Sequence, residues 1–222
     1  MPRSTPRRTP LPWAFLPYIA ISIVHVWALA AGSDLAAPTK LWLMPLLALP
    51  VIVSLHLRPV LAIVLLLAAI ILSWLGDGAG AFFPAGPELP LMLLFFGLAH
   101  VAYIVLFVRV LRERRMPWWT LVFAAWWIVM IIVLGPHTGT LLPAVAAYGL
   151  VLGGTAAVAA RCHPMVAVGG VFFLISDTLL AFRLFLPDMP GWTSPLVMFT
   201  YTLGQGLIVA GALVALRKRT AS

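Results

Sequence analysis

The chain has 222 residues, of which 63% are hydrophobic and 9% are charged, and its mean hydropathy is +1.09. A soluble domain is about half apolar and about a quarter charged, so this composition excludes a soluble enzyme and a DNA-binding domain. Because Cys162 is the single cysteine, a module held together by disulfide bonds within the chain is also excluded.

Apolar stretches separated by charges or by proline and glycine predict a polytopic membrane protein, a single all-α domain of about eight transmembrane helices. A helix needs about 20 apolar residues to cross a bilayer, so eight crossings use about 160 residues and leave about 60 for ends and loops. The longest predicted loop, residues 77–90, is too short for an extramembrane domain. The predicted spans are residues 11–31, 41–57, 60–76, 91–108, 118–134, 141–160, 166–182 and 194–216.

The first span has some features of a signal peptide. Basic residues precede it, and Ala28, Leu29 and Ala30 fit a cleavage site. Its apolar run of about 20 residues is longer than the hydrophobic region of a usual signal peptide. We therefore predict that the first span is not cleaved.

The net charge of +8 is interpreted as a topology signal. If the N-terminus is cytoplasmic, twelve of the fourteen lysines and arginines fall on the cytoplasmic side, and Lys40 and Arg183 fall on the other. This bias follows the positive-inside rule and predicts two cytoplasmic termini, in a bacterial inner membrane, with no nucleic-acid partner. For residues 109–115, binding of anionic lipid headgroups is an alternative.

The informative residues are the polar ones at membrane depth. An aspartate near the centre of a span costs about 2.5 to 3.5 kcal/mol on insertion scales, so Asp177 in the seventh span is a functional candidate. Asp77 ends the third span. We predict a polar cavity lined by spans three, four, seven and eight. Its other candidate residues are His100 and Tyr103 in the fourth span, Ser176 in the seventh, and Tyr201 and Gln205 in the eighth.

Two pairs of segments suggest an internal repeat. Residues 71–77 and 171–177 are apolar runs that end in a small residue and an aspartate, 100 positions apart. Residues 96–100 and 201–205 occupy matching positions in the spans that follow. We infer a parallel four-plus-four arrangement with the site at the interface of the halves, as in transporters built from repeats.

Each polar residue also has a structural interpretation. Asp77 could simply enter a tight turn, and His100 or Gln205 could provide hydrogen bonds between helices. Asp177 could form an ion pair with Arg183. These alternatives stay open at the level of the sequence.

The polar motifs resemble the YhhN-type lysoplasmalogenase family over most of the chain. The most specific part is Ser176 and Asp177 in the seventh span, followed by Tyr201 and Gln205 in the eighth. The chain departs from the family pattern after Asp77, where glycines replace the usual bulky apolar residues. The motifs that carry the resemblance are residues 76–77, 96–103, 170–181 and 201–205.

The resemblance implies an integral-membrane hydrolase that needs no cofactor and cleaves the vinyl ether bond of a lysophospholipid, the lysoplasmalogen. The products are a fatty aldehyde and a glycerophospho-base. This chemistry needs one protonated acid and one group that stabilises an oxocarbenium ion, which two carboxyls in unlike surroundings provide, as in glycosidases.

Burial favours the neutral carboxyl, so the deeper Asp177 is the expected proton donor and Asp77 the ionised partner, although the reverse assignment stays open. The lipid headgroup is expected near Arg183 or Lys40. The expected substrate-binding residues are His100, Tyr103, Ser176, Tyr201, Gln205 and Arg183.

Two competing hypotheses remain. A zinc-dependent hydrolase needs three or more protein ligands, but only His100 lies near both aspartates in depth, and no HxxxH or HExxH spacing occurs. A small transporter or lipid-handling protein would use the intramembrane Asp pair to couple protons or cations.

Overall fold

The structure, a computed structural model, describes residues 11–221 and contains eight long α-helices and no β-strand within that range. Short helical turns at Leu11–Ala14 and Ala79–Phe82 flank the first and third of these helices. The eight helices are α1 (Leu16–Ala30), α2 (Ala36–Ile52), α3 (Val60–Asp77), α4 (Glu88–Leu106), α5 (Leu121–Thr138), α6 (Leu142–Ala159), α7 (Pro164–Phe185) and α8 (Thr193–Ala221).

Six helical segments are long and apolar enough to cross a membrane. One of them, Trp118–Ala159, has 42 residues and contains two helices, because the positive φ of 54° at Gly139 breaks it into the antiparallel pair α5 and α6. The apolar helix α2, with 17 residues, completes the set of eight. The predicted all-α membrane architecture is therefore confirmed.

The predicted position of the second span is wrong by about five residues. The prediction placed it at residues 41–57, whereas α2 runs from Ala36 to Ile52 and is followed by turns. Lys40 was treated as a residue outside the membrane because it is charged, but it lies in the second turn of α2. Pro45 and Pro50 are tolerated inside this helix, as neighbouring helices allow in membrane proteins.

The most extensive helix contacts join α7 with α8 and α3 with α4. Glycines allow the first of these pairs to approach closely. A Cβ atom added to Gly204 would lie 2.8 Å from the backbone nitrogen of Phe173 and 3.0 Å from the carbonyl oxygen of Gly169. Small residues at a helix interface permit such backbone contact in a membrane, where packing supplies much of the attraction between helices.

The outer surface of the bundle is apolar and suits a lipid environment. Large hydrophobic side chains such as Ile23, Leu121 and Ile132 are more than 60% exposed. Trp118 and Trp192 are exposed near the ends of helices, as expected of anchors at the membrane interface.

Basic side chains at one end of the bundle bind backbone carbonyl groups near helix ends. Arg114 donates from Nε to the carbonyl oxygen of Ala160 at 2.8 Å, and Arg161 donates to the carbonyl oxygen of Arg114 at 3.3 Å. Such contacts satisfy carbonyls that have no partner within their own helix. The N-terminal arginines used in the topology prediction, Arg3, Arg7 and Arg8, lie outside the described residues, and the orientation stays a prediction.

Candidate functional site

Asp77 lies at the C-terminal end of α3 and receives two partners from other helices. The Tyr201 hydroxyl on α8 donates to its Oδ2 atom at 2.8 Å. The Lys40 ammonium on α2 lies 3.8 Å from its Oδ1 atom. The Asp77 side chain is only 4% exposed, whereas that of Lys40 is 37% exposed. A buried carboxylate thus has a cation that reaches it from the bundle surface.

Asp177, on α7, is held by a different set of groups. The Tyr148 hydroxyl on α6 donates to its Oδ2 atom. The His100 Nε2 atom on α4 lies 3.8 Å from the same oxygen and has no hydrogen-bond partner within the described part of the chain. Within the described residues, no lysine or arginine forms an ion pair with Asp177.

The tautomer of His100 follows from its second contact. Its Nδ1 atom lies 3.1 Å from the Thr155 hydroxyl, which donates its single proton to the carbonyl oxygen of Val151 at 2.8 Å. The hydroxyl must therefore accept from His100, so Nδ1 carries a hydrogen. The Nε2 atom then faces Asp177 Oδ2 at 3.8 Å, a separation longer than a hydrogen bond.

A chain of hydrogen bonds links three of the helices beside the carboxylates. Tyr103 on α4 donates to Gln205 Oε1 on α8 at 2.5 Å. Gln205 in turn donates from Nε2 to Ser73 Oγ on α3 at 3.0 Å. All three side chains are fully buried. Because buried polar groups are costly unless they are paired, this chain fixes the relative positions of α3, α4 and α8.

Aromatic rings separate the two carboxylates. The ring of Phe173 lies 4.6 Å from that of His100 and 5.4 Å from that of Tyr201, measured between centroids. Phe96 also packs edge-on against Tyr201, at 6.0 Å.

These contacts are reciprocal between the two halves of the chain. Asp77 of the first half bonds Tyr201 of the second, and Asp177 of the second half faces His100 of the first. The correspondence extends one helical turn before each aspartate. Gln205 donates a hydrogen bond to Ser73, and the ring of His100 packs on that of Phe173. The four-plus-four repeat itself stays a prediction.

Two of the expected substrate-binding residues lie away from the carboxylates. Ser176 is buried and donates to the carbonyl oxygen of Val197 at 3.0 Å, so it joins α7 to α8. Arg183 binds the Thr193 hydroxyl and the carbonyl oxygen of Pro190. It therefore holds the connection between α7 and α8 and does not form the ion pair with Asp177 that the sequence left open.

The polar cavity expected between α3, α4, α7 and α8 stays a prediction. The polar side chains of α3, α4, α7 and α8 bond to one another because buried polar groups need partners. Asp177 and Tyr148 instead contact two small clefts of about 40 Å³ each. One cleft lies between α4, α6 and α7, and the other between α5, α6 and α7.

Lys40, Tyr148 and Thr155 complete the site and were missed as members of it. Lys40 was considered only as a headgroup contact in a loop. Tyr148 and Thr155 stand seven residues apart on α6, which places them on the same face of that helix. This spacing of two polar residues in an otherwise apolar span is the signal that could have found them.

The described residues contain no group of three or more His, Cys, Asp or Glu side chains that could hold a metal ion.

Comparison with known proteins gives the family. No match to this chain was found among curated proteins or among solved structures. The model of the YhhN family matches residues 35–212, a region that contains both aspartates and all of their partners. The chain therefore belongs to the YhhN family.

Proposed function

We propose that this protein is a membrane hydrolase that cleaves the vinyl ether bond of lysoplasmalogens by general acid–base catalysis. The observation that carries the proposal is a pair of buried carboxyl groups in different surroundings. Asp77 has an ammonium group beside it, and Asp177 has a tyrosine and a histidine. Unlike surroundings are what allow two carboxyls to act as acid and as carboxylate at the same pH.

Asp177 is the proposed acid. Its Oδ2 atom faces His100 Nε2 at 3.8 Å, and Nδ1 of the histidine is bonded to Thr155. Within the described residues no lysine or arginine forms an ion pair with Asp177, in contrast to Asp77. Tyr148 would keep the carboxyl in position beside the clefts that reach it.

Asp77 is the proposed carboxylate. The Lys40 ammonium lies beside its Oδ1 atom, and the Tyr201 hydroxyl fixes the orientation of its Oδ2 atom. An ionised carboxylate stabilises a developing oxocarbenium ion and can accept a proton from an attacking water molecule.

In the proposed reaction, water adds across the carbon–carbon double bond of the vinyl ether, and the resulting hemiacetal then breaks down. The acid protonates the β-carbon of the alkenyl group, which leaves an oxocarbenium ion at the carbon attached to oxygen. Water attacks that carbon and loses a proton to the carboxylate, forming a hemiacetal. Breakage of its carbon–oxygen bond, with transfer of the hydroxyl proton to the glycerol oxygen, yields a fatty aldehyde and a glycerophospho-base.

The test is aldehyde release by detergent-purified protein from a panel of vinyl ether, alkyl ether and ester lysophospholipids. We expect aldehyde from the vinyl ether substrates alone. Asp77→Asn and Asp177→Asn should each lower kcat/KM by about 100-fold or more, as loss of a positioned acid or base does. Asp34→Asn is the matched control, because Asp34 is exposed and lies outside the site.

Two results would contradict the proposal. The first is the absence of aldehyde from every vinyl ether substrate with folded protein. The second is retention of more than about a tenth of the activity in both aspartate variants. Detergent solution excludes a gradient, so product formation would also separate hydrolysis from the transport alternative.

A further inference from the structure

A second cavity lies apart from the clefts at Asp177. It is a groove of about 650 Å³ between α1 and α8. Its volume is within the range of about 300 to 1,000 Å³ typical of small-molecule sites. Its walls are almost entirely apolar, and the lining includes Phe15, Ile19, Trp27, Phe199, Gly206 and Ala210.

One wall of the groove connects it to the polar cluster. Tyr18 lines the groove, is 4% exposed, and donates from its hydroxyl to the carbonyl oxygen of Thr202 at 2.6 Å. Thr202 directly follows Tyr201, the residue that bonds Asp77. Tyr18 therefore joins the wall of the groove to the turn of α8 that also carries Tyr201.

The groove runs along the bundle in the direction that a lipid chain takes. Its lining on α1 extends from Phe15 to Ala30, which corresponds to about 22 Å at 1.5 Å per residue. The hydrocarbon core of a bilayer is about 30 Å thick, so a groove of this length holds a chain that lies parallel to the helices. The clefts at Asp177, at about 40 Å³, are too small for one.

We propose that the groove between α1 and α8 binds the hydrocarbon chain of the substrate, a single-chain ether phospholipid, and sets the preferred chain length. This inference rests on the proposed function and adds the place of the chain to it. The apolar walls exclude the headgroup, so the polar end of the lipid lies on the Asp77 side of Tyr18. Lys40, which is half-buried beside Asp77, is the proposed cation for its phosphate.

The first experiment locates the chain without relying on turnover. Purified wild-type protein is incubated with a non-hydrolysable alkyl ether lysophospholipid that carries a diazirine near the middle of its chain, then irradiated and digested. We expect saturable labelling of peptides from α1 and α8, competed by the unlabelled lysolipid. Labelling that does not saturate, or that maps to α5, α6 or α7, would overturn the inference.

The second experiment changes the shape of the groove. Ala210→Phe fills it from the α8 side, and Phe199→Ala enlarges it. For Ala210→Phe we expect the ratio of kcat/KM for a 16-carbon alkenyl chain to that for an 8-carbon chain to fall by about 10-fold or more. For Phe199→Ala we expect the preferred chain length to increase. Ala125→Phe, at an exposed position on α5, is the matched control.

The two experiments separate failure of this inference from failure of the proposed function. Hydrolysis with unchanged chain-length ratios in both variants would refute the groove and leave the hydrolase intact. Saturable labelling of α1 and α8 without any hydrolysis would refute the hydrolase and support the groove as a lipid site.

Discussion

Replacement of Lys40 by methionine tests whether a cation supports the carboxylate of the site. The ammonium lies 3.8 Å from Asp77 Oδ1. Two unit charges at this separation interact by about 1 kcal/mol in water and about 4 kcal/mol at an effective dielectric constant of 20. Because Lys40 is 37% exposed, solvent screens the pair, and a value of about 1 to 2 kcal/mol is appropriate.

That range corresponds to a loss of about 5- to 30-fold in kcat/KM for the Lys40→Met variant, since about 1.4 kcal/mol is tenfold. The assay is aldehyde release in detergent from a vinyl ether lysophospholipid. Lys40→Arg keeps the charge and should retain most of the activity. Lys218→Met, which removes an exposed lysine at the other end of the chain, is the control for loss of a positive charge.

Full activity in the Lys40→Met variant would refute the reasoning, because it would show that Asp77 does not need a cation to act as a carboxylate. Equal losses in Lys40→Met and Lys40→Arg would also count against it, since a purely electrostatic role tolerates the arginine.

Two further predictions concern packing and accessibility. Gly204→Ala should lower the midpoint of thermal unfolding in detergent, because the added Cβ would lie 2.8 Å from the Phe173 backbone nitrogen and overpacking typically costs about 1 to 3 kcal/mol. Gly154→Ala is the control and should be nearly neutral, because its Cβ would make an ordinary contact at 3.6 Å. Equal unfolding midpoints for the two variants would contradict the packing argument. Cys162, which lies between α6 and α7, is buried, and desolvation followed by the charge of Glu113 raises the pKa of its thiol to about 12. At pH 8 about one molecule in 10⁴ then carries the thiolate, so a maleimide should label Cys162 in the unfolded chain and not in the folded one. Rapid labelling of the folded protein would contradict the burial of this thiol.

The fold and the aspartate pair could be predicted from the sequence because the free energy of membrane insertion constrains which residues a span contains. Apolar runs report helices, and an acid at membrane depth costs enough free energy to require a reason. Asp77, Asp177 and the bonded pair Tyr103 and Gln205 were found on this basis. Tyr103 and Gln205 bond to each other, and Gln205 also bonds to Ser73 on the helix that ends at Asp77, whereas the role of all four residues stays a prediction.

The residues that were missed carry a weaker signal. Tyrosine is common near the interface of a membrane helix, so Tyr148 is noticeable only through its seven-residue spacing from Thr155. Lys40 was used as the boundary of a span, because a charge ordinarily marks the end of one. Its position became clear only when α2 and α3 were seen side by side, since the ion pair joins residues 37 positions apart.

Arg183 shows the opposite error. It stands six residues after Asp177 in the same helix, and helical neighbours lie three or four residues apart, so the two side chains do not meet on one face. Its guanidinium instead meets the loop that leads into α8. Local spacing was enough to make this pairing unfavourable before the structure was known.

The reciprocal contacts between the two halves have a consequence for biosynthesis. Tyr201 and Gln205 belong to α8, which is made after α3, so Asp77 enters the membrane before its tyrosine partner. Asp177 instead arrives after both His100 and Tyr148. The hydrogen bonds that join α3 to α8 can therefore form only after α8 has been made.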